Sequence, residues 1–145
     1  MPGTFRITRR VAFSETDAAG IVHFANFFRY MEDAEHAMLH DKGLSVHRDI
    51  SDDIAGFPRV SAACDYKRPL RFEDVFTIDV NVATKTDKSV TYGFTFRKED
   101  EPDPIATGTL KAVYAIKQAG QGRFKAAPIP TEIAQALQIM RRSDP

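Results

Sequence analysis

The sequence predicts an α+β fold in which an antiparallel sheet is wrapped around one long helix, and three patterns carry that expectation. From Phe24 to Leu39 the apolar residues Phe24, Phe27, Phe28, Met31, Ala34, Met38 and Leu39 recur at three- and four-residue spacing, which gives a helix one apolar face. Before and after that stretch, apolar and polar residues alternate with a period of two, the signature of half-buried strands. One strand, one helix and then four strands cannot close as alternating βαβ units, so the sheet must be antiparallel.

Taken in order, Phe5, Ile7, Val11 and Phe13 alternate with Thr4, Arg6, Thr8, Arg10 and Ala12 and predict a first strand running into an acidic turn. The helix is expected over 25–42, ended by Gly43, which tolerates the left-handed backbone of a helix C-terminus. Residues 44–57 mix Ser, Asp, Gly and isolated Ile before Pro58 and read as a loop or short helical turn. A strand over 59–67 would place Val60, Ala62, Cys64 and Tyr66 on one side, with Pro69 ending it. Phe76, Ile78, Val80 and Val82, then Val90, Tyr92, Phe94 and Phe96, flank a polar connection over 84–88 and predict a hairpin. After the charged turn EDEPDP, a last strand is expected over 105–117, and Gly120 and Gly122 break the pattern. Thr131 to Arg142 reads as a terminal helix with Ile133, Ala136, Leu137 and Met140 inward.

Composition bounds the function. At 145 residues the chain suits a single domain over 1–145. Twenty basic residues balance twenty acidic ones, so no global field attracts nucleic acid, which is not an expected partner. MPGTFRITRR has no continuous apolar run and no later segment approaches about eighteen apolar residues, so the expectation is a cytoplasmic protein without a membrane span. The single Cys64 sits in a strand pattern and reads as a small buried apolar group. An open sheet of this kind leaves edges that pairing with another copy would cover, so a homo-oligomer is expected.

The chemistry concentrates where the acidic turn meets the helix. Asp17-Ala18-Ala19-Gly20 cannot easily continue a strand, and Gly20 permits the positive-φ backbone of a tight turn. The first amides of a helix lack internal partners and can hold an oxyanion, so a carboxylate beside them suits acyl transfer from an activated ester. From the residues alone, Asp17 either attacks or activates water there, or satisfies turn amides as Asp often does.

The run Thr16-Asp17-Ala18-Ala19-Gly20-Ile21-Val22-His23-Phe24-Ala25-Asn26-Phe27-Phe28 resembles the signature of the 4-hydroxybenzoyl-CoA thioesterase family, acyl-CoA hydrolases of the hotdog fold. The likeness continues through Leu44 and more weakly through Cys64 to Leu70. It implies a five- to six-stranded antiparallel sheet around a long central helix, and dimers joined edge to edge that pair into tetramers, with active sites at the dimer interface. It also implies an acyl-CoA substrate and no metal or redox cofactor. Carried onto matching positions, Asp17 is the catalytic carboxylate, Gly20 shapes the turn, the Phe24 N–H polarises the thioester carbonyl, and Asn26 and Phe27 line or support the acyl pocket. Relatives place an aromatic residue at the His23 position and a His at the Phe24 position, so His23 is carried only as a substrate contact; the coenzyme A phosphates would meet Lys88 and Ser89, beside Lys85 on the hairpin.

Other polar sets compete with this one. Glu32, His36 and His40 follow one another at i, i+4 and could ligate zinc, but no HExxH pattern accompanies them and each also suits a helix surface. Ser14, Asp17 and His23 lack the G-x-S-x-G elbow of a hydrolase triad. Glu35 is a second-carboxylate candidate if its helix packs near a partner subunit, or else a solvated helix residue. The competing functions are a hotdog-fold enoyl-CoA hydratase or dehydratase, which would release no thiol, and a non-catalytic acyl-CoA binding module.

Overall fold

The computed structural model of the chain describes residues 4–44, 48–50, 53–117, 120 and 122–138. Strands β1 (Phe5–Arg10), β4 (Arg59–Tyr66), β5 (Val75–Lys85), β6 (Ser89–Lys98) and β7 (Ala106–Val113) form a five-stranded antiparallel sheet in the order β1-β5-β6-β7-β4. Helix α1 (Asn26–Asp41) buries Phe27, Tyr30, Met31, Ala34, Glu35, Met38 and Leu39. Full burial of side chains such as Met31 and Met38 is worth about 1.5–3 kcal/mol each. The inward residues of the central hairpin, Phe76, Ile78, Val80, Val82, Val90, Tyr92, Phe94 and Phe96, share that core. The helix can lie this close because Gly108 of β7 has no Cβ. One added there would overlap the Met31 thioether methyl and stand 3.1 Å from the Ala63 carbonyl.

Helix α1 ends as expected. Gly43, at φ +74°, donates to the His40 carbonyl at 3.0 Å, and Leu44 donates to Leu39 at 2.8 Å, the paired bonds of a Schellman motif. The hairpin also closes as expected, with the Thr86 hydroxyl oxygen accepting the Ser89 N–H at 3.0 Å.

Several boundaries differ from the sequence reading. The first strand stops at Arg10, and Phe13–Glu15 forms a 3₁₀ turn that leaves Phe13 exposed. The span 44–57 is not simply a loop: β2 (Arg48–Ile50) and β3 (Asp53–Gly56) lie within it. The last strand divides at Tyr114, where β7 gives way to β8 (Ala115–Lys117). Tyr114 leaves the ladder because its N–H goes to the Lys88 carbonyl and its own carbonyl takes the Ala127 N–H. With β9 (Phe124–Ala126), these pieces make a second antiparallel sheet in the order β2-β3-β8-β9. Helix α2 spans Thr131–Ala136, shorter than expected; Ile133 and Leu137 are buried, and Met140 lies outside the described residues.

Strand β4 departs from simple alternation. A bulge between Arg59 and Ser61 leaves Val60 unpaired, after which Ala62, Cys64 and Tyr66 stand opposite Leu110, Gly108 and Ala106. Those three partners are buried, yet Val60, Ala62 and Tyr66 are exposed: β4 is an outermost strand, and α1 touches it through Glu35 at Arg59 and Phe27 at Tyr66 without covering its face.

Candidate active site

The site begins with Glu15, which ties the acidic turn to α1. Its Oε1 accepts the Ala12 N–H at 2.8 Å and the Tyr30 hydroxyl at 2.9 Å, while Oε2 pairs with Arg9 at 2.9 Å. The Glu15 carbonyl accepts the His23 N–H at 2.9 Å and the Asn26 side-chain amide at 2.8 Å. Arg9 also lies over the Tyr30 ring at 4.8 Å and pairs with Asp33.

Within that frame Asp17 starts a tight turn. Its N–H donates to the Ile21 carbonyl and its carbonyl accepts the Gly20 N–H, both at 2.9 Å, and Gly20 takes φ +82°, where an L side chain would be strained. Asp17 Oδ1 accepts the Ala19 N–H at 2.9 Å, and among the described residues Oδ2 has no hydrogen-bond partner. The carboxylate is thus fixed through one oxygen while the other is open.

Downstream, the backbone from His23 to Ala25 is satisfied except at one point. The His23 carbonyl accepts the Asn26 N–H at 2.9 Å, and His23 Nδ1 accepts the Ala25 N–H at 3.1 Å. The Phe24 carbonyl accepts the Phe27 N–H at 3.3 Å and the Tyr66 hydroxyl at 2.9 Å. Among the described residues, nothing accepts the Phe24 N–H. Asp17 and Phe24 line one hollow of about 480 Å³, together with Phe27, Tyr66, Leu70 and neighbouring residues at the end of β4.

The sequence-predicted residues therefore divide. Asp17, Phe24 and Phe27 meet at the hollow. Gly20, His23 and Asn26 are not on its wall: Gly20 shapes the turn, His23 stacks on the Phe24 ring at 4.7 Å, and Asn26 braces the Glu15 carbonyl. Glu35 is neither a pocket residue nor solvated. It is fully buried, and its carboxylate is paired with both guanidinium nitrogens of Arg59, one at 2.9 Å. Lys88 and Ser89 lie at the hairpin tip, where the Ser89 and Thr86 hydroxyls bond at 2.7 Å. The sheet register sets Tyr66 of the hollow level with Ile78 of β5, about 23 Å along that strand from the tip at Lys85, within one chain. Among the described residues, no three or more His, Cys, Asp or Glu gather as metal ligands; Glu32 turns to Arg59, and His36 stands 3.7 Å from Glu35.

Tyr66, Lys67 and Leu70 also line the hollow, beyond the residues the sequence points to, although an aromatic residue closing a strand just before Pro69 is a signal for them. Partial burial, and then the Cys64 thiol, push the Tyr66 hydroxyl up to about 12, so it remains a donor at neutral pH. Burial pushes the Cys64 thiol up to about 11, which keeps it protonated and poorly nucleophilic there.

Comparison with known proteins gives the fold a family. Residues 11–137 match the family described as the thioesterase-like superfamily. A protein of Aquifex aeolicus (strain VF5) named only as an esterase is 35% identical over 139 residues, covering 94% of this chain and 98% of its own. A 1,4-dihydroxy-2-naphthoyl-CoA hydrolase of Prochlorococcus marinus (strain NATL1A) is 30% identical, covering 74% and 75%. The solved structure of BH1999, a gentisyl-coenzyme A thioesterase, superposes with a TM-score of 0.74 at 31% identity, covering 90% of this chain and 99% of that one.

Proposed function

The chain belongs to the thioesterase-like superfamily and is a thioester hydrolase, and from that premise we propose that it cleaves an acyl-CoA thioester with Asp17 as the catalytic carboxylate. The reading is supported by Asp17, one carboxylate oxygen of which has no hydrogen-bond partner among the described residues, and Phe24, whose N–H has none there either, lining the same hollow. A carbonyl placed between them would meet a donor on its oxygen and a carboxylate at its carbon. Asp17 either takes a proton from water, which adds to that carbon, or adds directly to form an anhydride that water then opens. In both routes the tetrahedral oxyanion is held by the Phe24 N–H, the C–S bond breaks, and coenzyme A leaves as thiolate to be protonated by solvent.

An aromatic acyl group is the best-supported substrate class. Phe24, Phe27 and Tyr66 offer ring faces and edges in the hollow, and two relatives at 30% identity or more are named for hydroxylated aryl thioesters.

The active unit in this proposal is a homodimer joined through β4, the exposed sheet edge, with pairing into tetramers as the family resemblance implies. Antiparallel pairing of β4 with its twofold copy would set the Tyr66 end of one subunit beside the Arg59 end of the other. The sheet register puts the hairpin tip at that same end, since Ser89 stands opposite Val113 and Arg59 opposite Ala112. Lys88 and Ser89 of the partner subunit would then serve the coenzyme A bound at this hollow, which one chain alone cannot arrange.

The test is thiol release from a panel of aryl and alkyl acyl-CoA esters. Asp17→Asn keeps the shape and the Ala19 hydrogen bond but removes the charge, and should lower kcat by at least about a hundredfold with the fold intact. Parental turnover in that variant would refute the assignment of Asp17.

A further inference from the structure

We propose that Tyr66 is a positioning residue: its hydroxyl, donated to the Phe24 carbonyl, holds the backbone so that the adjacent Phe24 N–H points into the hollow. The inference rests on the function proposed above and extends it to a residue on a different element. The residue in the N-cap position of α1 is Ala25, which has no side-chain oxygen with which to cap the first turn. The other bonds of this stretch run to its own neighbours and to the turn before it: Asn26 N–H to His23, Phe27 N–H to Phe24 at a long 3.3 Å, Phe28 N–H to Ala25, Ala25 N–H to His23 Nδ1, and the His23 N–H and Asn26 side chain to the Glu15 carbonyl. None of those bonds reaches the sheet, and an amide that moves against the sheet is a poor oxyanion donor, because preorganisation is what makes such a donor effective.

Tyr66 supplies the missing restraint from 42 positions away in sequence. Among the described residues, it makes the one hydrogen bond that ties the His23–Ala25 backbone to a strand of the sheet. Its ring is itself oriented, standing edge-on to Phe27 with centroids 5.1 Å apart at 87°. Because the ring also lines the hollow, the residue that steadies the amide is part of the wall the acyl group would touch. The hydroxyl is bound to a carbonyl rather than aimed at a reacting atom, so it positions and does not catalyse.

Tyr66→Phe keeps the ring and removes only that bond. With benzoyl-CoA and 4-hydroxybenzoyl-CoA as probes, kcat should fall about fivefold to tenfold while KM stays within about twofold. The thermal unfolding midpoint should be nearly unchanged, and the Phe24 carbonyl ¹³C and Ala25 amide ¹⁵N resonances of labelled full-length protein should shift. An unchanged kcat, or a loss carried by KM alone, would overturn the inference while leaving the site reading intact if Asp17→Asn is inactive in the same assay. Parental activity in Asp17→Asn would instead sink the site reading. If the parent turns over neither probe, the resonances still decide, because unmoved Phe24 and Ala25 signals in Tyr66→Phe would show that the tie does not exist.

Discussion

Asp17 shows how one side chain can be both structural and chemically available. Its Oδ1 does the turn-forming work that any Asp at this position could do, and the residue also lines a hollow while its Oδ2 has no hydrogen-bond partner among the described residues. The turn-forming role read from the sequence is met, and it leaves an oxygen for the catalytic role proposed above. Tyr66 and Cys64 carry a pH consequence at the same scale. Relative to reference values of 10.0 and 9.0, folding raises Tyr66 to about 12 and Cys64 to about 11, so the folded chain keeps protons that the unfolded chain releases. Their contribution to stability is complete below about pH 9, declines first through Cys64 between about 9 and 11, and then through Tyr66 between about 10 and 12. Urea midpoints measured from pH 8 to 11 should fall in the upper part of that range, and Cys64→Ala should delay the onset. An identical onset in both proteins would remove Cys64 from the account.

At the scale of elements, the clearest restraint is the contact between α1 and the start of β4. Glu35 is fully buried and its charge is met by Arg59, whose side chain is about a quarter exposed. Removing one partner of such a pair leaves a buried charge without compensation, which typically costs about 3–5 kcal/mol. Arg59→Ala should therefore lower stability by about 3 kcal/mol in urea unfolding, whereas replacing both residues with apolar ones of similar size should recover much of it. A loss below about 1 kcal/mol in Arg59→Ala would mean that solvent reaches Glu35 and substitutes for the arginine. This pair also shows why part of the structure was hidden in the sequence. Helical spacing placed Glu35 near the apolar face but could not name an arginine 24 positions away. The hairpin and α1 were legible because each repeats its pattern over ten or more residues. Strands β2, β3, β8 and β9 have three or four residues each, too few for a period to emerge. The division at Tyr114 preserves alternation across the break, so nothing in the residue order marks the change of sheet.

For the whole molecule, the informative feature is an apolar surface in an unexpected place. Ala62 and Tyr66 lie on the helix-facing side of the sheet, opposite buried Leu110 and Ala106, but both are exposed, Tyr66 meeting α1 only at the edge of Phe27. Solvent is a poor permanent neighbour for an edge strand carrying such residues, since both its backbone and its side chains invite another strand. A second copy related by a twofold axis would cover them and bring the distant Lys88–Ser89 end of the partner to the Asp17 hollow, so that assembly and catalysis become one property. Ala62→Lys tests this directly, because two copies of the new charge would face each other across the axis while each isolated fold is left undisturbed at an exposed position. The parent should sediment at a multiple of 16.2 kDa and the variant at 16.2 kDa, with the variant's KM for acyl-CoA raised by about tenfold or more as the partner's contacts are lost. A variant that sediments as a monomer with parental kinetics would show that one chain carries a complete site, and the hairpin lysines would then have no part in holding coenzyme A.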